Sequence, residues 1–295
     1  MNEYAYARRY MGTDVSLSFV VPTEALALTM AEDLFRSIAR YESLFSRFLP
    51  ESELSRLNRS KAARVSREFE AVLRRSTDLV HRTENAFNPL VQVARLGYVR
   101  SFAEGPRGAT VDATPYDTDI TAVGVDTDGT VRLRGAQNLD FGGILKGYLA
   151  SLLVRHVQGE YPACTGAIVN LGGDLATFGR DADGKPFVFE VYNPVTGHDL
   201  PLTVENSALA TSGTYARSWE TKQGRRHHIV DSKTRENPRT NIVSATVVHE
   251  DGAVAEAFTK VFISRPFDEA MRIVGKEPLG FLLILVNGSV VSSLV

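Results

Sequence analysis

The sequence predicts an α+β fold in which largely antiparallel sheets are flanked by helices. Between residues 14 and 21, apolar side chains stand at every second position, which is typical of a half-buried strand. The next segment spaces its apolar residues by three and four, as an amphipathic helix does. Strand and helix patterns do not alternate strictly along the remaining chain, which argues against a doubly wound parallel sheet. We expect one domain spanning residues 1–295.

Two helices are predicted in the first third of the chain. The first follows Pro22-Thr23 and ends before the break at Pro50-Glu51-Ser52. Its apolar face is formed by Leu26, Met30, Leu34, Ile38, Tyr41 and Phe45. The second should run from Ser66, a residue type that caps helix N-termini, to about Arg82.

Hairpins and short strands dominate the rest of the prediction. Asp128-Gly129 predicts a hairpin turn within Ile120–Arg134, and Asn287-Gly288 predicts the last hairpin. An apolar helix should follow Gly147 and end near Val157. The other predicted elements are strands at Ala167–Leu171, Phe187–Val191, Ile242–Val248 and Leu279–Val286, and a helix at Ala253–Phe262.

Composition and charge exclude several classes of protein. The chain is 43% hydrophobic and 23% charged with a net charge of −2, so it has a globular composition without the basic excess of nucleic-acid binders. Its one cysteine, Cys164, rules out an intrachain disulfide and fits a reducing compartment. No apolar run reaches the ~18 residues that a membrane span needs. We therefore expect a cytoplasmic protein with no nucleic-acid partner.

Four segments of the second half offer groups that contact phosphate. Residues 142–147 combine glycines with a lysine where a loop enters a helix, and a helix N-terminus favours an anion. Residues 170–174 and 210–213 offer glycine backbone and small hydroxyls in segments typical of turns and loops. His228 precedes Asp231, so a general base could have an orienting acid. Each segment taken alone is more simply an ordinary turn.

In this order the segments resemble the FAD:protein FMN transferase family, also called the ApbE family. The resemblance spans nearly the whole chain, through Met11-Gly12-Thr13, Phe45-Ser46, Pro50, Ser52-Glu53-Leu54, Asn58, Phe87-Asn88-Pro89, Asp140–Gly147, Asn170–Asp174, Ala210–Gly213, His228–Asp231 and Ala255-Glu256-Ala257. It implies an α+β fold related to the T-fold.

The resemblance also implies a reaction. FAD binds with Mg²⁺ near its pyrophosphate, a serine or threonine hydroxyl of a target protein attacks the FMN phosphorus, and AMP leaves. Some members of the family use water instead and act as FAD pyrophosphatases. Two alternatives therefore stay open. The chain could hydrolyse FAD to FMN and AMP, or bind flavin without transferase activity as a carrier or regulator.

Roles for single residues are implied by the motifs they match. His228 would be the base for the incoming hydroxyl, with Asp231 supporting it. The residues that would bind FAD are Asn58, Lys146, Gly172, Gly173, Asp174, Thr211, Ser212 and Gly213. The metal would be held by the carbonyl of Gly143 and by the acid of the Ala255–Ala257 motif, Glu256.

The metal motif departs from the family pattern. Glu256 replaces an aspartate, and Lys260 stands where the family has a threonine ligand, with Thr259 one residue early. A protonated lysine has no lone pair for a metal. Either Lys260 places its ammonium near the pyrophosphate instead of the metal, or the site is lost; a surface Glu-Lys pair is the simplest alternative. Further departures are Asn88, Ser151, Thr214 and Ser232–Arg235.

Overall fold

A large antiparallel sheet organises the protein in the computed structural model, which describes residues 1–98, 111–112 and 114–294. The strands are β1 (Asn2–Tyr10), β2 (Thr13–Val21), β3 (Ala62–Arg64), β4 (Gly124–Val125), β5 (Thr130–Arg132), β6 (Gly166–Leu171), β7 (Asp174–Gly179), β8 (Phe187–Tyr192), β9 (Asp199–Val204), β10 (Ala208–Gly213), β11 (Ser218–Thr221), β12 (Gly224–His227), β13 (Ile242–His249), β14 (Gly280–Leu285) and β15 (Val290–Ser292). The large sheet has the order β1-β2-β6-β7-β10-β13-β14-β15, with every neighbouring pair antiparallel. Smaller sheets pair β8 with β9, β11 with β12, and β5 with β3 and β4.

The helices are α1 (Glu24–Phe45), α2 (Glu53–Ser60), α3 (Arg67–Arg82), α4 (Leu145–Glu160), α5 (Gly252–Ser264) and α6 (Phe267–Val274), with 3-10 turns at Val93–Leu96 and Ile120–Ala122. At the N-termini of α1, α2, α3 and α5, a capping side chain accepts a backbone N–H of the first turn. Thr23 accepts from the N–H of Leu26 and Ser66 accepts from that of Phe69, at 3.4 and 3.2 Å. The predicted starts of the first and second long helices are confirmed.

Helices cover one face of the large sheet, and a hairpin covers part of the other face. On one face α1, α4 and α5 enclose the main core, to which Leu17, Phe19 and Phe258 contribute fully buried side chains. Neighbouring residues of a strand point to opposite faces, so Leu175 and Leu209 point away from the main core. On that face they pack against the β8–β9 hairpin. The predicted α+β fold with largely antiparallel sheets is confirmed. The single-domain organisation stays a prediction.

One prediction of local structure is wrong. The segment 210–213, expected to be a loop, is the end of β10 and pairs with β13 in the centre of the sheet. The hairpin predicted around Asp128-Gly129 is confirmed, as the short antiparallel strands β4 and β5 preceded by a 3-10 turn. Within the described part of the chain, no helix is long and apolar enough to cross a membrane.

Candidate active site

A cavity of about 690 Å³ opens where several elements of the large sheet end. Its walls come from the C-terminal end of α1, the loop before α4, the turn between β6 and β7, β8, the end of β10 and the segment that follows β12. Pockets that hold small molecules or cofactors usually measure roughly 300–1,000 Å³. The cavity therefore has room for an extended ligand.

Close contact between α4 and α5 determines the position of the charged end of this cavity. A Cβ atom on Gly147 would lie 2.1 Å from the carbonyl oxygen of Gly252, so only glycine lets the two helices approach this far. The carboxylate of Glu256, one turn farther along α5, accepts the N–H of Gly147 at 2.9 Å. This hydrogen bond also satisfies a backbone donor in the first turn of α4.

Two lysines share the buried carboxylate of Glu256. Its side chain is 2% exposed, and Oε1 lies 3.3 Å from Nζ of Lys146 and 3.8 Å from Nζ of Lys260. Lys146 also forms an ion pair with Asp174, and Lys260 donates to the carbonyl oxygen of Glu256 at 2.9 Å. The surface Glu-Lys pair that was the simplest alternative is therefore excluded, because this pair is buried at the wall of the cavity.

Positive charge concentrates around these lysines. Burial lowers the pKa of Lys146 to about 8, against the opposing effect of Glu256 and with a further lowering by Lys260 and Arg217. Burial and the nearby guanidinium of Arg217 likewise lower the pKa of Lys260. An anion bound between these cations would offset their mutual repulsion. The electrostatics thus favour a negatively charged ligand at this end.

The turn between β6 and β7 presents backbone to the cavity. The Oδ1 atom of Asn170 accepts the N–H of Gly173 at 2.8 Å, which closes the turn. Gly172 has a φ of +72°, and a Cβ there would lie 2.1 Å from Oγ1 of Thr13. The motif that contains Thr13 therefore packs directly beneath this turn, which explains why both belong to one pattern in the sequence.

Thr211 and Ser212 point to opposite faces of β10. The hydroxyl of Thr211 lies 2.9 Å from that of Thr246 on the neighbouring strand, whereas that of Ser212 lies 2.7 Å from Thr259 on α5. Thr259 donates its proton to the carbonyl oxygen of Glu256 at 2.7 Å, so Ser212 must donate its own proton to Thr259. Ser212 therefore has no hydroxyl proton left for a phosphate, and Thr211 is the better donor.

His228 lines the cavity as a neutral imidazole. Its Nδ1 lies 3.4 Å from the carbonyl oxygen of Arg217. Burial, and then the charges of Arg217 and Lys260, lower its pKa to about 3. The ring is thus able to accept a proton, although it is a weak base until negative charge arrives nearby.

Two expected site residues lie behind the cavity wall. Asp231 accepts the N–H groups of Lys233 and Thr234 and pairs with the buried Arg265 at 3.0 Å; among the described contacts, none joins it to His228. Asn58 exchanges two hydrogen bonds with the backbone of Leu139, at 2.9 and 2.8 Å. Both side chains hold loops in place, so the expectations that Asp231 orients His228 and that Asn58 contacts flavin do not match this geometry.

An aromatic wall was missed by the sequence analysis. The guanidinium of Arg47 lies 4.3 Å from the ring centroid of Phe48 and 4.5 Å from that of Tyr98, and it donates to the carbonyl oxygen of Tyr98 at 2.7 Å. Tyr98 stacks on Trp219 with 5.4 Å between ring centroids. The sequence feature that could have indicated this wall is the apolar pair Phe48-Leu49, which stands directly after a helix end. Tyr98 and Trp219 are buried, so Phe48, which is 40% exposed, is the ring of this wall that a ligand can reach.

The donor set does not fit the expected magnesium ion. In the part of the chain that the structure describes, no group of three or more His, Cys, Asp or Glu side chains converges as metal ligands. One oxygen of Glu256 is used by a backbone N–H and the other faces two ammonium groups. A Cβ on Gly143 would lie 3.4 Å from Cε of Lys260, so the lysine stem fills the space between the two expected ligands. A divalent cation here would meet like charges and too few oxygens.

The remaining expected residues do come together. Those that line the cavity are Gly143, Lys146, Gly172, Gly173, Asp174, Thr211, Ser212, Gly213, His228, Glu256 and Lys260. They come from distant parts of the sequence and surround one concave surface. Their roles toward a ligand stay predictions.

Comparison with known proteins agrees with this arrangement of motifs. The model of the ApbE family matches residues 11–283. The chain belongs to the ApbE family. An FAD:protein FMN transferase from Klebsiella pneumoniae is 25% identical over 98% of this chain and 92% of its own length, and one from Treponema pallidum is 26% identical over 94% and 83%.

Solved ApbE structures share the fold. The ApbE protein from Thermotoga maritima superposes with a TM-score of 0.86 at 24% identity, covering 99% of this chain and 97% of that one. The flavin transferase ApbE from Vibrio cholerae gives a TM-score of 0.80 at 20% identity, covering 99% and 97%. The predicted ApbE-like fold is therefore confirmed along nearly the entire chain.

Proposed function

We propose that this protein transfers FMN from FAD to a serine or threonine hydroxyl of a target protein and releases AMP. Membership of the ApbE family and the names of the relatives, FAD:protein FMN transferase, support this reaction. The observation that carries the proposal is the cluster of Lys146, Lys260 and Arg217 in a cavity that is also lined by the aromatic side chains of Phe48 and Tyr98. Such a cavity suits a ligand that is anionic in its middle and flat at its end.

In the proposed step, the hydroxyl oxygen of the target forms a bond to the FMN phosphorus. The bond from that phosphorus to the bridging oxygen breaks, and AMP leaves with the electron pair. His228 accepts the hydroxyl proton. A bound pyrophosphate raises the pKa of His228 from about 3, because its negative charge offsets Arg217 and Lys260.

The backbone and side chains around the cavity would hold FAD in line for attack. The N–H of Gly173 is already donated to Asn170, so the backbone of Gly172 and the hydroxyl of Thr211 are the groups that we expect to meet phosphate oxygens. Lys146 keeps both of its carboxylate partners and supplies charge at the start of α4. Fixed donors of this kind lower the barrier by positioning and electrostatics.

The test combines purified protein, FAD and a target domain that carries an acceptor threonine. Covalent flavin on the target is read by fluorescence in a denaturing gel and by intact mass, and AMP is read by chromatography. We expect both products in equal amounts, and neither with a target whose acceptor hydroxyl has been removed. AMP without flavinylated target would favour a pyrophosphatase, and bound FAD without AMP would favour a carrier.

His228 provides the sharper test of the mechanism. A His228→Asn variant should lose about 10²–10⁴-fold in kcat while its FAD affinity changes little, because only proton transfer is removed. The exposed His198, replaced in the same way, is the matched control and should leave kcat unchanged. Equal activity of the two variants would remove His228 from the mechanism.

The cytoplasmic location also stays a prediction, which cell fractionation tests.

A further inference from the structure

The ammonium of Lys260 occupies a prepared position beside the cavity. Its side chain is 15% exposed, and its nitrogen donates to the carbonyl oxygen of Glu256 at 2.9 Å. Its stem passes the backbone of Gly143, where a Cβ would lie only 3.4 Å away. The head group is therefore held in place before any ligand arrives.

Lys260 has more free hydrogen-bond donors than Lys146. An ammonium has three N–H donors, and one of those on Lys260 goes to the backbone of Glu256. The carboxylate of Glu256 lies 3.8 Å from Nζ of Lys260, beyond hydrogen-bond distance, whereas it lies 3.3 Å from Nζ of Lys146. Lys146 spends a further donor on Asp174. Lys146 therefore keeps one N–H donor for an oxyanion, whereas Lys260 keeps two.

The same position is closed to a divalent cation, as the donor set around Glu256 has shown. A pyrophosphate between the two ends of FAD still needs its charge neutralised, both for binding and for departure of AMP. A cation held in a poorly hydrated wall acts more strongly than one in open solvent. Lys260 meets these requirements without an ion from solution.

We propose that Lys260 serves as a built-in cation for the FAD pyrophosphate, so that this chain binds FAD and transfers FMN without a divalent metal. The inference rests on the proposed function, since it assumes that FAD is the ligand of this cavity. In this proposal the ammonium of Lys260 contacts the pyrophosphate of FAD directly. Glu256 then acts as a positioning residue that balances two lysines and anchors α4.

The test measures binding of FAD and of riboflavin, which lacks phosphate, with either EDTA or Mg²⁺ present. For the unmodified protein we expect the same FAD affinity within about 2-fold in both conditions. A Lys260→Met variant should bind FAD roughly 10- to 100-fold more weakly, as expected for loss of a charge-assisted hydrogen bond. Its riboflavin affinity should not change, because no phosphate is present. If Lys260 had a purely structural role, Lys260→Met would weaken the binding of FAD and of riboflavin alike.

Two controls keep this experiment interpretable. Lys222→Met removes the same charge from an exposed site on the β11–β12 turn and should change neither affinity. A Lys260→Met/Glu256→Gln double variant removes both charges of the pair, and it should still bind FAD weakly if the ammonium itself matters.

Three results would overturn the inference. The first is FAD binding by the unmodified protein that EDTA abolishes and Mg²⁺ restores, which would leave the proposed function intact. The second is Lys260→Met with normal FAD affinity. The third is no FAD binding by the unmodified protein in either condition, which would refute the proposed function as well.

Discussion

Alanine at Gly147 and alanine at Gly159 should have opposite effects on stability, although both positions lie in α4. At Gly147 the new Cβ would lie 2.1 Å from the carbonyl oxygen of Gly252, far inside the 3.4 Å at which ordinary contact begins. At Gly159 the new Cβ would have no neighbour within 4 Å. The comparison isolates packing from helix propensity, because the substitution and the helix are the same.

The magnitudes follow from these distances. Relief of the clash at Gly147 requires α4 and α5 to separate, and such overpacking costs about 1–3 kcal/mol. For a protein of this size that lowers Tm by roughly 2–5 °C. At Gly159 alanine restricts the unfolded chain and should stabilise by about 0.4–1 kcal/mol, which raises Tm by roughly 1–2 °C.

Thermal unfolding followed by circular dichroism measures both changes, and urea unfolding gives the matching free energies. FAD titration adds a second readout, since separation of the helices would move Lys146 and weaken binding of Gly147→Ala but not of Gly159→Ala. A Gly147→Ala protein as stable as the unmodified one would refute the argument that backbone contact brings these helices together.

Three further predictions concern residues around the cavity. Asn58→Ala should cost about 1–3 kcal/mol of unfolding free energy, because the backbone of Leu139 loses both of its partners, and urea unfolding measures this loss. Asp231→Asn should destabilise by about 1–3 kcal/mol, because the buried guanidinium of Arg265 loses its closer carboxylate and keeps only Glu269 at 3.7 Å, while kcat of the folded enzyme stays normal; a fall in kcat without loss of stability would restore Asp231 to catalysis. The imidazole of His228, neutral in the free protein, takes up a proton on unfolding below pH 6.5, so its contribution to stability is present above pH 6.5 and is lost as pH falls toward about 3; an NMR titration showing protonation of His228 near pH 6.5 would contradict this.

Local interactions explain why much of the fold was predictable. The N-caps Thr23 and Ser66 act on N–H groups within three residues, so the starts of α1 and α3 are visible in a short stretch of sequence. The order of the motifs was equally informative about the family. By contrast, β10 escaped detection because it is a buried central strand whose polar side chains pair with other elements.

The contacts of side chains in the candidate site could not be predicted from local sequence. Side-chain roles within the motifs were inferred from pattern alone, and the pattern placed Asp231 beside His228 and Asn58 beside the ligand. In the folded chain Asp231 meets Arg265 and Asn58 meets Leu139, 81 residues away, so both stabilise loops. A sequence motif indicates that a residue has a role in the protein. Which residue it contacts depends on how the helices and strands pack together.

The sequence by itself determined the antiparallel α+β class, the capped helices, the family and the presence of Lys260 where the resemblance implies a threonine. Only the tertiary structure decided that Lys260 shares a buried carboxylate with Lys146, because Lys146 and Glu256 are 110 residues apart and meet through the glycine contact of α4 and α5. Hydrophobic periodicity and caps act over one or two turns and can be seen in any window of sequence. The charge balance of a buried cluster depends on distances between elements, and those exist only once the sheet and helices have assembled.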